Sequence, residues 1–216
     1  MTQQAVLRSM RSEDLPRIED MVRRTWHYDD MLSPDNARRM GRIDAANCMS
    51  RRTFMRVADV DGDIAGIVVA NDIKQHRKDR RARMRRWVTA LPLIGSREGR
   101  DMLNLMHNYL STDAALSKQT KAMGCEYEGE LVLFIVDSAF RGKGIGKQLF
   151  RAAMEYFRSV GVDRFFLYTD TGCDYGFYDH HGLNQRCAQS FDWSLGTDTK
   201  RITMFIYDDT VSRLLE

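Results

Sequence analysis

From Val6 to Arg11 apolar and polar residues alternate, the habit of a half-buried strand. Leu15, Ile18, Met21, Val22 and Trp26 then recur at helical spacing, with Ser12 placed to cap the helix and Glu13 and Asp14 in its first turn. Ser33-Pro34 repeats the start signal and opens a second helix through Ala37, Met40, Ile43 and Ala46 or Asn47. Phe54 to Val60 and Ile64 to Ala70 read as two strands of a hairpin around Asp61-Gly62-Asp63.

The rhythm changes over residues 71–125. Arg77–Arg86 is basic at seven of ten positions, which predicts an exposed helix that Pro92 and Gly95 end. Ser96 can cap a further helix, whose stripe of Met102, Leu103, Leu105, Met106, Tyr109 and Leu110 demands burial. No Gly/Ser/Pro-rich linker isolates this segment. It reads as a helical insertion at about 71–125 within one domain spanning 1–216.

An unbroken apolar run, Leu131 to Val136, predicts a strand buried on both faces. Gly142, Gly144 and Gly146 follow, flanked by Arg141, Lys143 and Lys147. Ile145, Leu149, Ala152, Ala153, Tyr156 and Val160 then give a helical stripe, with Gly161 as its C-cap. Arg164 to Thr169 is another apolar strand one helix downstream, so the two strands should run parallel. Thr171 to His181 reads as a short helix ending at Gly182, and Gln185–Leu195 and Arg201–Tyr207 as two last strands. The class is α/β, with a mixed sheet.

Composition narrows the setting. The 216 residues are 43% hydrophobic with three prolines, enough for a real core, and no run of eighteen apolar residues predicts a membrane span. Met1 to Ala5 carry no apolar signal core. Cys48, Cys125, Cys173 and Cys187 form no Cys-x-x-Cys pair, so a reduced, cytoplasmic enzyme is expected. His180 and His181 match no zinc spacing, and no metal is expected. The formal charge of +3 is too small to require a polyanionic partner.

A strand, a glycine-rich basic turn and a helix N-terminus together make an anion site, because the first N–H groups of a helix lack partners and its dipole favours negative charge. The Walker pattern fails, with Arg141 and Gln148 where Gly and Ser/Thr are needed. The dinucleotide fingerprint fails because Gly146 comes one residue early. Arg141-x-x-Gly144-x-Gly146 fits a third pattern and resembles the acetyl-CoA-binding motif of the GNAT superfamily of N-acetyltransferases. Leu7 to Ile18, the Asp61–Asp63 hairpin and Phe177-Tyr178-x-x-x-Gly182-Leu183 are similar to that family in the same order, and residues 71–125 have no counterpart.

The resemblance implies a mostly antiparallel sheet with a central parallel strand pair, flanked by helices, that splays to admit acetyl-CoA. Backbone N–H groups of Arg141, Gly142, Lys143, Gly144, Ile145, Gly146 and Lys147 would hold the pyrophosphate, and Ile135 and Val136 would pair with the pantetheine amides. The implied reaction is acetyl transfer to a primary amine of a small molecule or peptide, with Tyr178 as the acid for the leaving thiolate. Glu130, rivalled by Glu128, is the candidate base, directly or through water. Thr171 stands where the family often has Asn and can still bond the coenzyme, while Asp170 and Asp174 are placed to attract a cation. Trp26 to Asp30 would border the acceptor, and the insertion would cover the acceptor cleft or form a face between two copies. The rival expectation is a binding or regulatory module without transferase activity, with Arg77–Arg86 as a weak nucleic-acid candidate.

Overall fold

Asp61 and Gly62 take left-handed backbone (φ 53° and 92°) and close strand β2 (Phe54–Val60) onto β3 (Asp63–Asp72), the expected hairpin. The structure, a computed structural model, describes residues 5–75, 84, 88–195 and 198–216. Within them a seven-stranded sheet runs β1-β2-β3-β4-β5-β7-β6, with β1 at Val6–Arg8, β4 at Gly129–Val136, β5 at Arg164–Asp170, β6 at Asn184–Leu195 and β7 at Asp198–Thr210. Every neighbouring pair is antiparallel except β4 with β5, which is parallel as the intervening helix requires.

The faces of the sheet carry different helices. Helix α1 (Leu15–Thr25) sets Ile18, Met21 and Val22 against Val57, Ile67 and Leu133 on one face. A short turn, α2 (Tyr28–Met31), leads to α3 (Pro34–Ser50) beside it. On that same side α4 (Arg97–Ala122) crosses β6 and β7, burying Leu116 against Met204 and Ile206 and packing Met102 and Leu105 with Met40 and Ile43 of α3. The opposite face is covered by α5 (Ile145–Ser159), whose Leu149, Ala153 and Phe157 are fully buried against β2, β3 and β4. Short helices α6 (Gly176–His180) and α7 (Val211–Leu214) and 3-10 turns at Leu91–Gly95 and Ser138–Phe140 are also described.

Four local expectations are corrected. Ser12 does not cap α1: it lies in a 3-10 turn, and the Asp14 carboxylate accepts from the Arg11 N–H at 2.7 Å and from Arg8 at 2.7 and 2.9 Å. Ser33 does not cap α3 either. Its hydroxyl donates to Glu98 of α4 at 2.9 Å, and Asn36 donates to the same carboxylate at 2.8 Å, so the first turns of α3 and α4 are tied together. The helix expected from Thr171 shrinks to α6, since Asp170 accepts from the Gly172 N–H and holds residues 171–175 as turns. Finally, Leu131 to Val136 is not buried on both faces. Leu131, Leu133 and Ile135 are buried, while Val132, Phe134 and Val136 are half-buried. The basic run Arg77–Arg86 lies outside the described residues apart from Met84.

Candidate active site

The parallel pair at the centre of the sheet lasts two residues. Gly129 faces Phe165 and Glu130 faces Phe166, and beyond them the strands part. A bulge in β4 sits at the same place: Ala70 faces Leu131 and Val69 faces Leu133, leaving Val132 unmatched. Such an insertion bends its strand and increases the local twist. From Leu131 onward β4 is bonded to β3 on one edge, and its other edge borders a cleft of about 580 Å³. Ile135 and Val136 are on that wall, with Phe134, Tyr168, Phe177 and Tyr178 around it.

The glycine-rich turn closes one end. Gly142 and Gly144 are left-handed (φ 75° each), backbone that a side chain would strain. The first bond of α5 runs from the Gln148 N–H to the Gly144 carbonyl at 3.2 Å, so the N–H groups of Ile145, Gly146 and Lys147 are the helix donors without helical partners. A Cβ on Gly146 would lie 3.5–3.6 Å from Phe134, Phe177 and Val136, inside the cleft. Free donors, an unmatched strand edge and apolar walls fit a ligand that is anionic at one end and amide-bearing along its length.

The other predicted residues divide. Arg141 borders the cleft, with its guanidinium 3.6 Å from Asp174. Lys143 lies over the Phe140 ring at 5.1 Å, and Lys147 and the buried Ile145 are on the cleft wall. Thr171 stands apart: its hydroxyl oxygen accepts from the Thr203 N–H at 3.3 Å, and it does not border the cleft. Tyr178 is 8% exposed, packed among Phe134, Phe177 and Tyr207, and burial raises its pKa well above the ordinary tyrosine value. It stays a protonated phenol at any physiological pH.

Glu130 faces a neighbouring chamber of about 150 Å³. It is 6% exposed and accepts from Arg51, just past the end of α3, at 2.7 Å. Glu128, its rival, is bound to Lys74 at 2.8 Å and to the Asp163 N–H at 3.0 Å, away from these cavities. Asp113 of α4 and Asp170 at the end of β5 also line the chamber, which thus holds three carboxylates and one guanidinium. Burial pushes Asp113 up to about 7, against the pull of Arg51 and with the push of Glu130 and Asp170. Burial raises Asp170 as well.

The chamber shares Trp26, Leu131, Val132 and Tyr168 with the cleft, and Trp26, Tyr109 and Asp113 with a third, largely apolar cavity of about 380 Å³ between α3 and α4. Of the Trp26–Asp30 cluster, only the aromatics face these spaces. Tyr28 is bonded to Asp44, while Asp29 meets Arg23 at 2.5 Å and Asp30 meets His27 at 3.3 Å in solvent. Asp174 is exposed.

Sequence reasoning missed Asp113, Arg51 and Tyr168. A signal for Asp113 existed: with Tyr109, Leu116 and Thr120 it forms one helical stripe, and a carboxylate inside a buried stripe calls for explanation. Among the described residues no group of three His, Cys, Asp or Glu is arranged to hold a metal ion, and no helix is long and apolar enough to cross a membrane. His181 stacks on Phe177 and its Nδ1 meets the Phe177 carbonyl at 2.8 Å. All four cysteines are free.

A sheet that splays at its parallel pair, with a glycine-rich helix start at the opening, defines the class. The family model described as "Acetyltransferase (GNAT) family" matches residues 15–183, and the chain belongs to that family. Solved structures agree at the level of the fold. The SsHAT crystal structure is 15% identical with a TM-score of 0.59 and covers 96% of this chain and 98% of its own. The PaiA N-acetyltransferase of Thermoplasma acidophilum, solved in complex with coenzyme A, is 15% identical with a TM-score of 0.50, covering 96% and 99%. YncA of Salmonella typhimurium, solved with its cofactor acetyl-CoA, is 12% identical with a TM-score of 0.52, covering 96% and 94%. No curated protein matches the sequence.

Proposed function

We propose that the protein moves an acetyl group from acetyl-CoA to a primary amine by direct attack of the amine on the thioester. One observation carries this reading: the buried Tyr178 phenol borders a cleft made by an unmatched strand edge and a glycine-rich helix start. Coenzyme A and acetyl-CoA in the PaiA and YncA structures support the ligand. In this reading Gly142 to Lys147 hold the pyrophosphate and Ile135 and Val136 hold the amide arm. Bound acetyl-CoA supplies an activated carbonyl.

The chain's own residues then manage protons. The amine must be neutral to attack, so an ammonium sheds two protons in all. Glu130 takes one, directly or through water. As the C–N bond forms and the C–S bond breaks, the electron pair goes to sulfur, which takes a proton from Tyr178. The second nitrogen proton restores the phenol.

The test is thermal melting with coenzyme A, acetyl-CoA and longer acyl-CoAs, followed by thiol release over a panel of amines. Stabilisation grows with ligand concentration over Kd, so acetyl-CoA at 100 times Kd should add about 2.7 kcal/mol. No rise in melting temperature with any acyl-CoA sinks the reading. Stabilisation without thiol release from any amine makes the protein a binding module instead.

A further inference from the structure

We infer that the acceptor is a cationic amine on an apolar body. The ammonium is held by Asp113 and Asp170, and the body lies in the cavity between α3 and α4. This rests on the transferase reading above and adds the substrate class.

Three observations converge. The first is an unmet acceptor: Asp113 Oδ1 is buried and makes no hydrogen bond among the described residues. A buried carboxylate oxygen left in that state is costly, and an ammonium with three donors can satisfy it. The second is charge. Arg51 is engaged with Glu130, so Asp113 and Asp170 line a chamber of about 150 Å³ with neither paired to a cation among the described residues, although Asp170 Oδ1 accepts from the Gly172 N–H at 2.6 Å. Arg51 Nε is also buried without a hydrogen bond, so an acceptor oxygen on the substrate has one place to go. The excess of carboxylates still favours a cation over a zwitterion.

The third is continuity. Asp113 and Tyr109 stand on the wall between the chamber and the apolar cavity of about 380 Å³. That cavity is bounded by Ile43 of α3 and Met102, Leu105 and Met106 of α4. On the other side the chamber shares Trp26 and Tyr168 with the cleft. A nitrogen at Asp113 is thus flanked by the cleft on one side and by an apolar recess on the other. Helix α4 is held in place at both ends of this wall. Tyr168 donates to the Asp113 carbonyl at 3.1 Å and lies 2.5 Å from the Ser117 hydroxyl, and Glu98 is bonded to α3.

The experiment is calorimetric titration of the full chain, with and without coenzyme A, using phenethylamine, hexylamine, ethanolamine and phenylalanine as probes. Phenethylamine and hexylamine should bind at least tenfold tighter than ethanolamine and phenylalanine. Asp113→Asn should lose at least tenfold for both apolar amines while acetyl-CoA affinity stays within twofold. Met106→Trp, filling the recess, should weaken the apolar amines and leave ethanolamine unchanged. Should phenylalanine or ethanolamine bind as well as phenethylamine, or no amine bind while coenzyme A does, the inference is overturned and the transferase reading stands. Tight binding of the apolar amines without binding of any form of coenzyme A would instead overturn the transferase reading and leave the amine site standing.

Discussion

The glycine turn and the carboxylate chamber both border the cleft yet are built by opposite means. The turn is backbone: the N–H groups of Ile145, Gly146 and Lys147 lack helical partners, and its side chains matter mainly where they are missing, at Gly142, Gly144 and Gly146. The chamber is side chain: Arg51, Asp113, Glu130 and Asp170 come from four separate segments. A backbone site tolerates any residue with the right φ, whereas a side-chain chamber is defined by identities that only the fold brings together. The first is suited to a constant ligand. In the proposed reading the second is where the acceptor is chosen.

The comparison breaks most sharply at Tyr178. Tyr178→Phe should lower kcat about 100-fold or more while acetyl-CoA affinity changes less than twofold, since general acid catalysis is worth about 10²–10⁴. Equal losses in turnover and affinity would return Tyr178 to the core. Next comes the turn. Gly144→Val places a branched side chain at φ 75°, at a strain of about 1–2 kcal/mol. Acetyl-CoA should bind about tenfold more weakly, with amine affinity untouched. If both sites weaken together, they are one unit rather than two.

A smaller effect separates them by pH. Asp113 faces Arg51, Glu130, Asp170 and Tyr168 from the neighbouring elements and Tyr109 on its own helix. With its carboxyl near 7, Asp113 is neutral below that pH and charged above, so KM for a cationic amine should rise as pH falls through 7. The KM of Asp113→Asn should not follow. Stability moves the other way. From about 3.9, the unfolded aspartate value, to about 7 the folded state binds the extra proton, so charging Asp113 lowers stability as pH rises. The melting temperature of Asp113→Asn relative to wild type should therefore increase from pH 4 to pH 8. A constant difference would mean Asp113 does not titrate in that window. Least of all, Thr171→Ala should change acetyl-CoA affinity less than twofold, because its hydroxyl serves Thr203. A tenfold loss would put Thr171 back at the coenzyme.

Much of this could be read before the structure. The hairpin, the parallel pair and the glycine turn follow from local spacing, because the groups that make them are neighbours in the chain, whereas Tyr178 is singled out by the family resemblance alone. The partner of Ser33 and the chamber around Asp113 were not legible. Glu98 is 65 residues from Ser33, and helix propensity says only that serine caps well. Leu131 to Val136 misled for a related reason: an apolar run does not reveal that one face meets a cleft, where apolar side chains serve a ligand as well as a core.

The unmatched Val132 makes strand length, rather than residue identity, a setting of this molecule. Side chains alternate with a period of two, and the bulge already interrupts that alternation, so removing Val132 would restore regular pairing with Leu131 still on Ala70 and Leu133 on Val69 and would take away the bend. Phe134, Val136, Gly129 and Glu130 would keep their faces and their partners on β3, and β4 would run straighter beside β5. No substitution at that position can do the same. Variants of this chain that lose Val132 in frame should therefore keep both faces of β4 and lose its bend, while conservative exchanges along the strand leave the bend in place.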